Sequence, residues 1–379
     1  MKRITDYIIR EKSILTRKDN LESLYVLKDF PVFMGCTDQP ADYDLVADMD
    51  WQICRDTGII QLAKLLPLKT VYLGQHNEGI GKVWIEHYLE FCKFLKKYNP
   101  KRVLEIGGAH GLIAQKFLEM SPQMEWIIVE PNPTFHGNEK IKVIKNWFDD
   151  KFLLDEKIDT VVHSHVLEHT YNPVAYLRHI SSFLKKGERN IFTFPNMREQ
   201  LVRRYTNCLN FEHTVFLTEY FVDYLLERFG FKILEKQYFQ DHSIFYATEK
   251  SDAMKEAKLI TKYDEYKKLF MDFVNYHLEM INEINRKIEK VKDPVYLFGA
   301  HIFSQYLIGF GLKTDKIVSI LDNSLLKLGK RLYGTRFMIE SSKVLAGKRQ
   351  VNVILKAGIY NEEIKKDILE NINNEVNFW

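Results

Sequence analysis

The sequence predicts an α/β protein built on a doubly wound sheet whose last strand runs backwards, and three observations carry that prediction. Apolar strands alternate with helical segments from about residue 100 to 250. The first strand breaks into a glycine turn, Val103-Leu104-Glu105-Ile106-Gly107-Gly108-Ala109-His110-Gly111, which opens a helix and leaves room for a ligand beside the backbone. The last two strands, Lys232 to Gln240 and Ser243 to Thr248, have no helix between them and so cannot continue a parallel winding.

Taken in order, residues 1–80 lack this rhythm and mix short apolar pieces with turns such as Asp38-Gln39-Pro40-Ala41-Asp42-Tyr43, which predicts a small irregular N-terminal module. Gly81 to Lys97 carries Trp84, Ile85, Tyr88, Leu89, Phe91, Cys92 and Leu95 at helical spacing, enough to cover one sheet edge. The main unit, 81–250, then places strands at Arg102 to Ile106, Trp126 to Glu130, Lys142 to Lys145, Thr160 to His163 and Asn190 to Pro195. Its helices fall at Gly111 to Met120, Val174 to Leu184 and Glu219 to Phe229. Residues 251–292 are charged, with few breakers before Asp293-Pro294, and read as a helical arm that includes Lys255 to Lys258. A second βα start at Val295-Tyr296-Leu297-Phe298-Gly299-Ala300, strands Lys316 to Asp322 and Asn352 to Leu355, and a helix Asn361 to Asn371 make 293–379 a smaller Rossmann-like domain. Gly299 lacks the full dinucleotide spacing, which leaves nucleotide-holding and structural roles both open for that domain.

Composition narrows the class. The 379 residues exceed one ordinary domain, and 46% hydrophobic with 28% charged residues are the proportions of a globular protein. The net charge of +3, from 54 basic and 51 acidic residues, is too balanced to attract nucleic acid in bulk. No apolar run is long enough for a bilayer, and the Met1-Lys2-Arg3-Ile4-Thr5-Asp6 start lacks the apolar core of a signal peptide, so a cytoplasmic location is expected. Cys36, Cys54, Cys92 and Cys208 lie far apart and read as buried thiols. The expected partner is therefore a small molecule, with neither nucleic acid nor membrane, and the chain is expected as a monomer or homodimer.

The ligand follows from spacing. Glu105-x-Gly107-Gly108-x-x-Gly111 has no third glycine in the register a pyrophosphate needs, and no Gly-Lys-Ser/Thr follows. About 20 residues on, a strand ends in Glu130-Pro131, where a carboxylate can accept from both hydroxyls of a ribose. This pattern resembles the first motif of the class I S-adenosylmethionine-dependent methyltransferases. The resemblance implies S-adenosylmethionine as cofactor, held by Glu105, Gly107, Gly108, Gly111, Glu130 and Pro131.

Further pieces follow in the same order. Ile158 to Val162 runs into His163-Ser164-His165-Val166-Leu167-Glu168-His169 and Asn172-Pro173 at the carboxyl end of the sheet, facing the same crevice. With Leu184-Lys185-Lys186-Gly187 and Phe194-Pro195-Asn196 this looks like the middle of many small-molecule methyltransferases, and it places His165 on the cofactor side and Asn196 on the substrate side. Glu168 and His169 are adjacent at a helix start, point in different directions, and read as structural or cofactor-side. After the third strand, Trp147-Phe148-Asp149 offers an apolar wall and a carboxylate for an adenine, so Phe148 and Asp149 are expected to touch cofactor. Asn210-Phe211-Glu212-His213 lies in the long connection over the crevice mouth. There His213 is suited to take a proton, and Glu212 to orient it.

The whole order is similar to the sugar C-methyltransferases that act on nucleotide-linked ketosugars. Tyr296-Leu297-Phe298-Gly299-Ala300, Leu321-Asp322-Asn323-Ser324, Lys327-Leu328-Gly329-Lys330 and Tyr333-Gly334 resemble that family's C-terminal run. The resemblance implies carbon methylation of a ketosugar, with His213 as general base. Two departures stand against it. The family carries two Cys-x-x-Cys zinc knuckles, whereas here stand Phe33-x-x-Cys36 and Cys54-x-x-Thr57; two thiolates do not close a tetrahedral site, so zinc is not expected and no metal ligands are assigned. The family's Tyr-His-Glu-His loop is here Asn210-Phe211-Glu212-His213, with Asn210 expected against substrate and Tyr72 available to supply the missing phenol. Methylation of a hydroxyl on a sugar or small metabolite, and a cofactor-binding pseudo-enzyme, are the alternatives these departures leave.

Overall fold

A computed structural model of the protein describes residues 1–72, 82–251 and 258–379. The expected helix start at Gly81 and the charged segment from Lys255 lie outside or at the edge of the described residues.

The central sheet has seven strands: β1 (Arg102–Ile106), β2 (Glu125–Val129), β3 (Ile141–Ile144), β4 (Thr160–Ser164), β5 (Arg189–Pro195), β6 (Phe231–Phe239) and β7 (Ser243–Lys250). Their spatial order is β3-β2-β1-β4-β5-β7-β6. The pairs among β1 to β5 are parallel, and β7 runs antiparallel to both β5 and β6. The central strands are buried on both faces, so their burial does not alternate, and the polar residues they carry, such as Glu105, His163 and Asn190, are buried with the apolar ones. The order reverses between β1 and β4, and the crevice at their carboxyl ends is where an open α/β sheet takes its ligand.

Helices α1 (Lys82–Lys96), α2 (Leu112–Met120), α3 (Pro173–Phe183), α4 (Met197–Val202) and α5 (Glu219–Arg228) accompany the sheet. The start of α3 is fixed locally. Asn172 accepts a hydrogen bond from Ala175 N at 3.0 Å, and Pro173 stands at the first helical position, where its missing N–H costs nothing.

The N-terminal residues are more regular than their turn-rich composition suggests. Leu21–Pro31 and Leu45–Cys54 form a long antiparallel pair, with Ile60–Leu62 added beside the second strand. Burial alternates along the second strand, with Met49, Trp51 and Ile53 inside and Asp48, Asp50 and Gln52 half-exposed.

The charged segment before Pro294 contains one 28-residue helix, α6 (Tyr263–Lys290). It is packed along its length: Tyr266, Phe270, Phe273, Val274, His277, Ile281, Ile284 and Ile288 form a buried stripe at helical spacing. Trp51, Phe221 and Phe310, one from each neighbouring unit, meet rings on this stripe. The C-terminal residues form a five-stranded sheet, with Val295–Phe298 at its centre and every pair parallel. Among the described residues no helix is long and apolar enough to cross a membrane.

Candidate active site

The glycine turn after β1 is built for close approach. Gly107 and Gly111 hold φ of +78° and +65°, in the left-handed region that costs other residues strain. A Cβ on Gly107 would lie 2.5 Å from Val166 Cγ2, and one on Gly111 would lie 2.6 Å from Phe135 Cδ1. A Cβ on Gly108 would meet the Glu105 carboxyl carbon at 2.7 Å. Glu105 is thus folded beneath the turn and fully buried, accepting from the Trp126 indole N–H at 2.7 Å.

That burial raises the Glu105 carboxyl to about 7, against the opposing hydrogen bond from Trp126. Between the ordinary value and 7 the folded chain keeps a proton that the unfolded chain has released. Stability therefore falls as pH rises through this window, by about 3 kcal/mol in all. Glu105→Gln stays neutral and should flatten this loss; urea melts of both proteins at about pH 5 and about pH 8 check it.

Glu130 closes β2 at the crevice. Asn132 N donates to its Oε1 at 2.8 Å, and burial raises its pKa. Pro131 follows it directly. Phe148 turns away from the crevice into a cluster with Phe152, Tyr176, His179 and Phe183. Asp149 is exposed and accepts from Lys151 N at 3.0 Å. The aromatic ring beside the mouth is Trp147, edge-on to Tyr72 at 4.8 Å between centroids. Tyr72 is pushed up to about 12, first by burial of its phenol and then by the charges of Glu130 and Glu212.

The loop carrying His213 is held from outside the sheet unit. Leu62 N donates to Thr214 O at 2.9 Å and Phe216 N to Ile60 O at 2.8 Å, so the N-terminal strand Ile60–Leu62 runs along the loop. Arg10 donates to Thr214 O at 2.7 Å and to Tyr171 O at 2.6 Å. The Asn210 side chain is buried, and its Oδ1 accepts from Glu212 N at 2.8 Å and His213 N at 2.7 Å. It thereby holds the loop backbone in an Asx turn. Asn196 likewise caps α4, accepting from Glu199 N at 3.4 Å.

Around the loop, His213, His169, Glu168 and Glu212 come together. His213 Nδ1 lies 3.0 Å from Cys208 O; a carbonyl only accepts, so the proton sits on Nδ1 and Nε2 keeps its lone pair. Burial, and next His169, lower its pKa to about 4. His169 Nδ1 pairs with Glu212 Oε2 at 3.2 Å; this bond and the charges of Glu168 and Glu212 outweigh burial and raise the histidine. One ligating atom from each of Glu168, His169 and His213 lies within 4.8 Å of the others. Glu168 is fully buried, 3.1 Å from His165 Nδ1 and 3.8 Å from His169 Nε2, and neither of its oxygens has an aligned hydrogen bond.

His165, in the left-handed region at φ +53°, reaches Ser243 Oγ at 2.9 Å through Nε2. His87 and His242 join it, and the sequence alone signals neither of them. The cysteines are elsewhere. Cys36 Sγ donates to Ala300 O at 3.4 Å, Cys54 is buried at the end of its strand, and neither belongs to a converging set of three ligands among the described residues.

Strand order, reversed β7 and glycine turn give the central unit the fold of the class I methyltransferases. Residues 82–236 match the family model described as methyltransferase domain. The chain is similar to an O-methyltransferase family protein from Burkholderia thailandensis, at 13% identity and TM-score 0.38 over 46% of this chain and 59% of that one. It is also similar to the N,N-8-amino-8-demethyl-D-riboflavin dimethyltransferase RosA from Streptomyces davawensis, at 22% identity and TM-score 0.37 over 44% and 56%. The N-methyltransferase NodS from Bradyrhizobium japonicum matches at 17% identity and TM-score 0.35, over 46% of this chain and 99% of its own. The chain thus spans less than three fifths of the length of the first two structures. No curated protein sequence matches it.

Proposed function

We infer that the protein transfers a methyl group from S-adenosylmethionine to a sugar or nucleotide-linked sugar, with His213 as general base. The observation that carries this reading is the His213 tautomer: Nδ1–H donates to the Cys208 carbonyl, so Nε2 is free to take a proton beside the crevice. The bound cofactor supplies an electrophilic methyl. The chain has to position the acceptor and receive its proton.

Gly107, Gly108 and Gly111 leave space for the cofactor, Glu130 and Pro131 face its ribose, and Glu105 holds the turn from below. Domain limits at 1–80 for the N-terminal module, 81–250 for the methyltransferase unit, 251–292 for the arm and 293–379 for the C-terminal unit fit this reading, with the strand Ile60–Leu62 of the first bracing the His213 loop. Carbon methylation of a ketosugar needs a second group to stabilise an enolate, and Tyr72, within electrostatic reach of Glu212, is that group. Asn210 is spent on its turn, which favours hydroxyl methylation as the second reading.

Incubation with methyl-labelled S-adenosylmethionine and a panel of nucleotide sugars and ketosugars tests this. Label on a ring carbon, located by NMR, is the expected result. Label on oxygen selects the second reading, and cofactor binding without transfer to any acceptor marks a pseudo-enzyme.

A further inference from the structure

Three histidines from distant parts of the chain meet at the edge of the crevice. His87 lies on α1, His165 follows β4, and His242 lies in the turn between β6 and β7. One ring nitrogen of each is within 4.8 Å of the other two. Two of the rings converge on one hydroxyl: Ser243 Oγ is 2.9 Å from His165 Nε2 and 2.5 Å from His242 Nδ1. The third, His87, is fully buried, with Nε2 3.2 Å from Thr193 Oγ1 and with no hydrogen-bond partner for its buried Nδ1. We propose that His87, His165 and His242 bind one divalent first-row transition-metal ion of the zinc type.

The surroundings are those of a metal site. Imidazole suits zinc and its neighbours in the first transition row, and three imidazoles with an open fourth position is a coordination zinc adopts in catalytic sites. The outer atoms are also in place. A histidine that ligates through Nε2 usually directs its Nδ1–H at a carboxylate, and His165 Nδ1 stands 3.1 Å from Glu168 Oε1. The contact is a close approach rather than an aligned hydrogen bond, and neither oxygen of that carboxylate has an aligned partner elsewhere.

Trp84 lies edge-on to His165 and His242, each at 4.8 Å between centroids. Phe239 and Phe245 flank His87 at 5.3 and 5.2 Å, completing an apolar shell. Such a shell limits solvent access to an ion and lowers the local dielectric. His165 is strained into positive φ, as residues fixed at functional sites often are. The proposal departs from the sequence expectation of no metal, because His87 and His242 are 155 residues apart and share no motif.

Binding is independent of methyl transfer, so failure of one reading leaves the other standing. Tag-free protein, stripped with a chelator, is titrated with Zn²⁺ by calorimetry. The expected result is roughly one ion per chain, with affinity lowered by about 100-fold or more in His242→Ala and unchanged in His213→Ala. His242 is partly exposed, so its variant is the one expected to fold, and circular dichroism of the variant checks this. Zinc-edge X-ray absorption of the loaded wild-type protein gives a readout that needs no variant. Three imidazole nitrogens at roughly 2.0–2.1 Å are expected. No binding by wild-type protein, undiminished binding by a folded His242→Ala, or a shell with only two imidazoles overturns the proposal; the last result would place the ion at Glu168, His169 and His213.

Discussion

Replacing His213 by alanine is expected to lower kcat by about 10²- to 10⁴-fold while S-adenosylmethionine still binds. The ring is separate from the glycine turn, and its backbone is held by Asn210 and by the strand Ile60–Leu62, so loss of the imidazole leaves the loop anchored. What disappears is the acceptor for the proton that leaves the substrate. The sign of the pH dependence follows from the environment. Burial, and then His169, lower the pKa to about 4, so the ring is neutral and competent at pH 7. As pH falls through about 4 the ring protonates, and kcat/KM should drop on an acid limb there rather than near the usual histidine value. Calorimetry of cofactor binding, turnover, and the pH profile together check the assignment. Unchanged turnover in His213→Ala would remove His213 from the chemistry.

The parts of this molecule governed by local rules were legible in the sequence. Gly107 and Gly111 are glycine because positive φ and close neighbours demand it, and the missing helix between β6 and β7 announces the reversed strand. The period of two along Leu45–Cys54 is also local, but the Asp38-Gln39-Pro40 turn just before it gives the segment the look of irregular chain. Side-chain direction was not legible. Trp147 and Phe148 are adjacent, yet Trp147 meets Tyr72 at the mouth while Phe148 packs under α3, a choice made by the tertiary core. Nor could spacing reveal that Asn210 closes its own turn, or that Glu105 lies beneath the glycines against Trp126. The convergence of His87, His165 and His242 depends on three separate strand ends and a helix, and no single window of sequence contains it.

Asp44→Ala is expected to cost about 3–5 kcal/mol of stability. Asp44 is fully buried between the N-terminal sheet and the C-terminal unit, where both of its oxygens accept from Arg331, at 2.5 Å from Nη1 and 2.8 Å from Nη2. Gly334 N also donates to Asp44 Oδ2 at 2.8 Å, and the short strands Cys36–Thr37 and Arg331–Leu332 pair alongside. Removing the carboxylate strands a guanidinium that is itself only 8% exposed. Its remaining partners, the carbonyls of Gln39, Leu332 and Thr335, solvate the charge without neutralising it. The cost arises from that uncompensated charge rather than from the worth of the pair, so a second change should recover much of it. Asp44→Leu combined with Arg331→Met replaces both ions by apolar groups and should be markedly more stable than Asp44→Ala alone. Denaturant melts of the three proteins measure this directly. A double variant no more stable than the single one would mean that Asp44 acts through Gly334 and the strand pair, and that Arg331 is incidental.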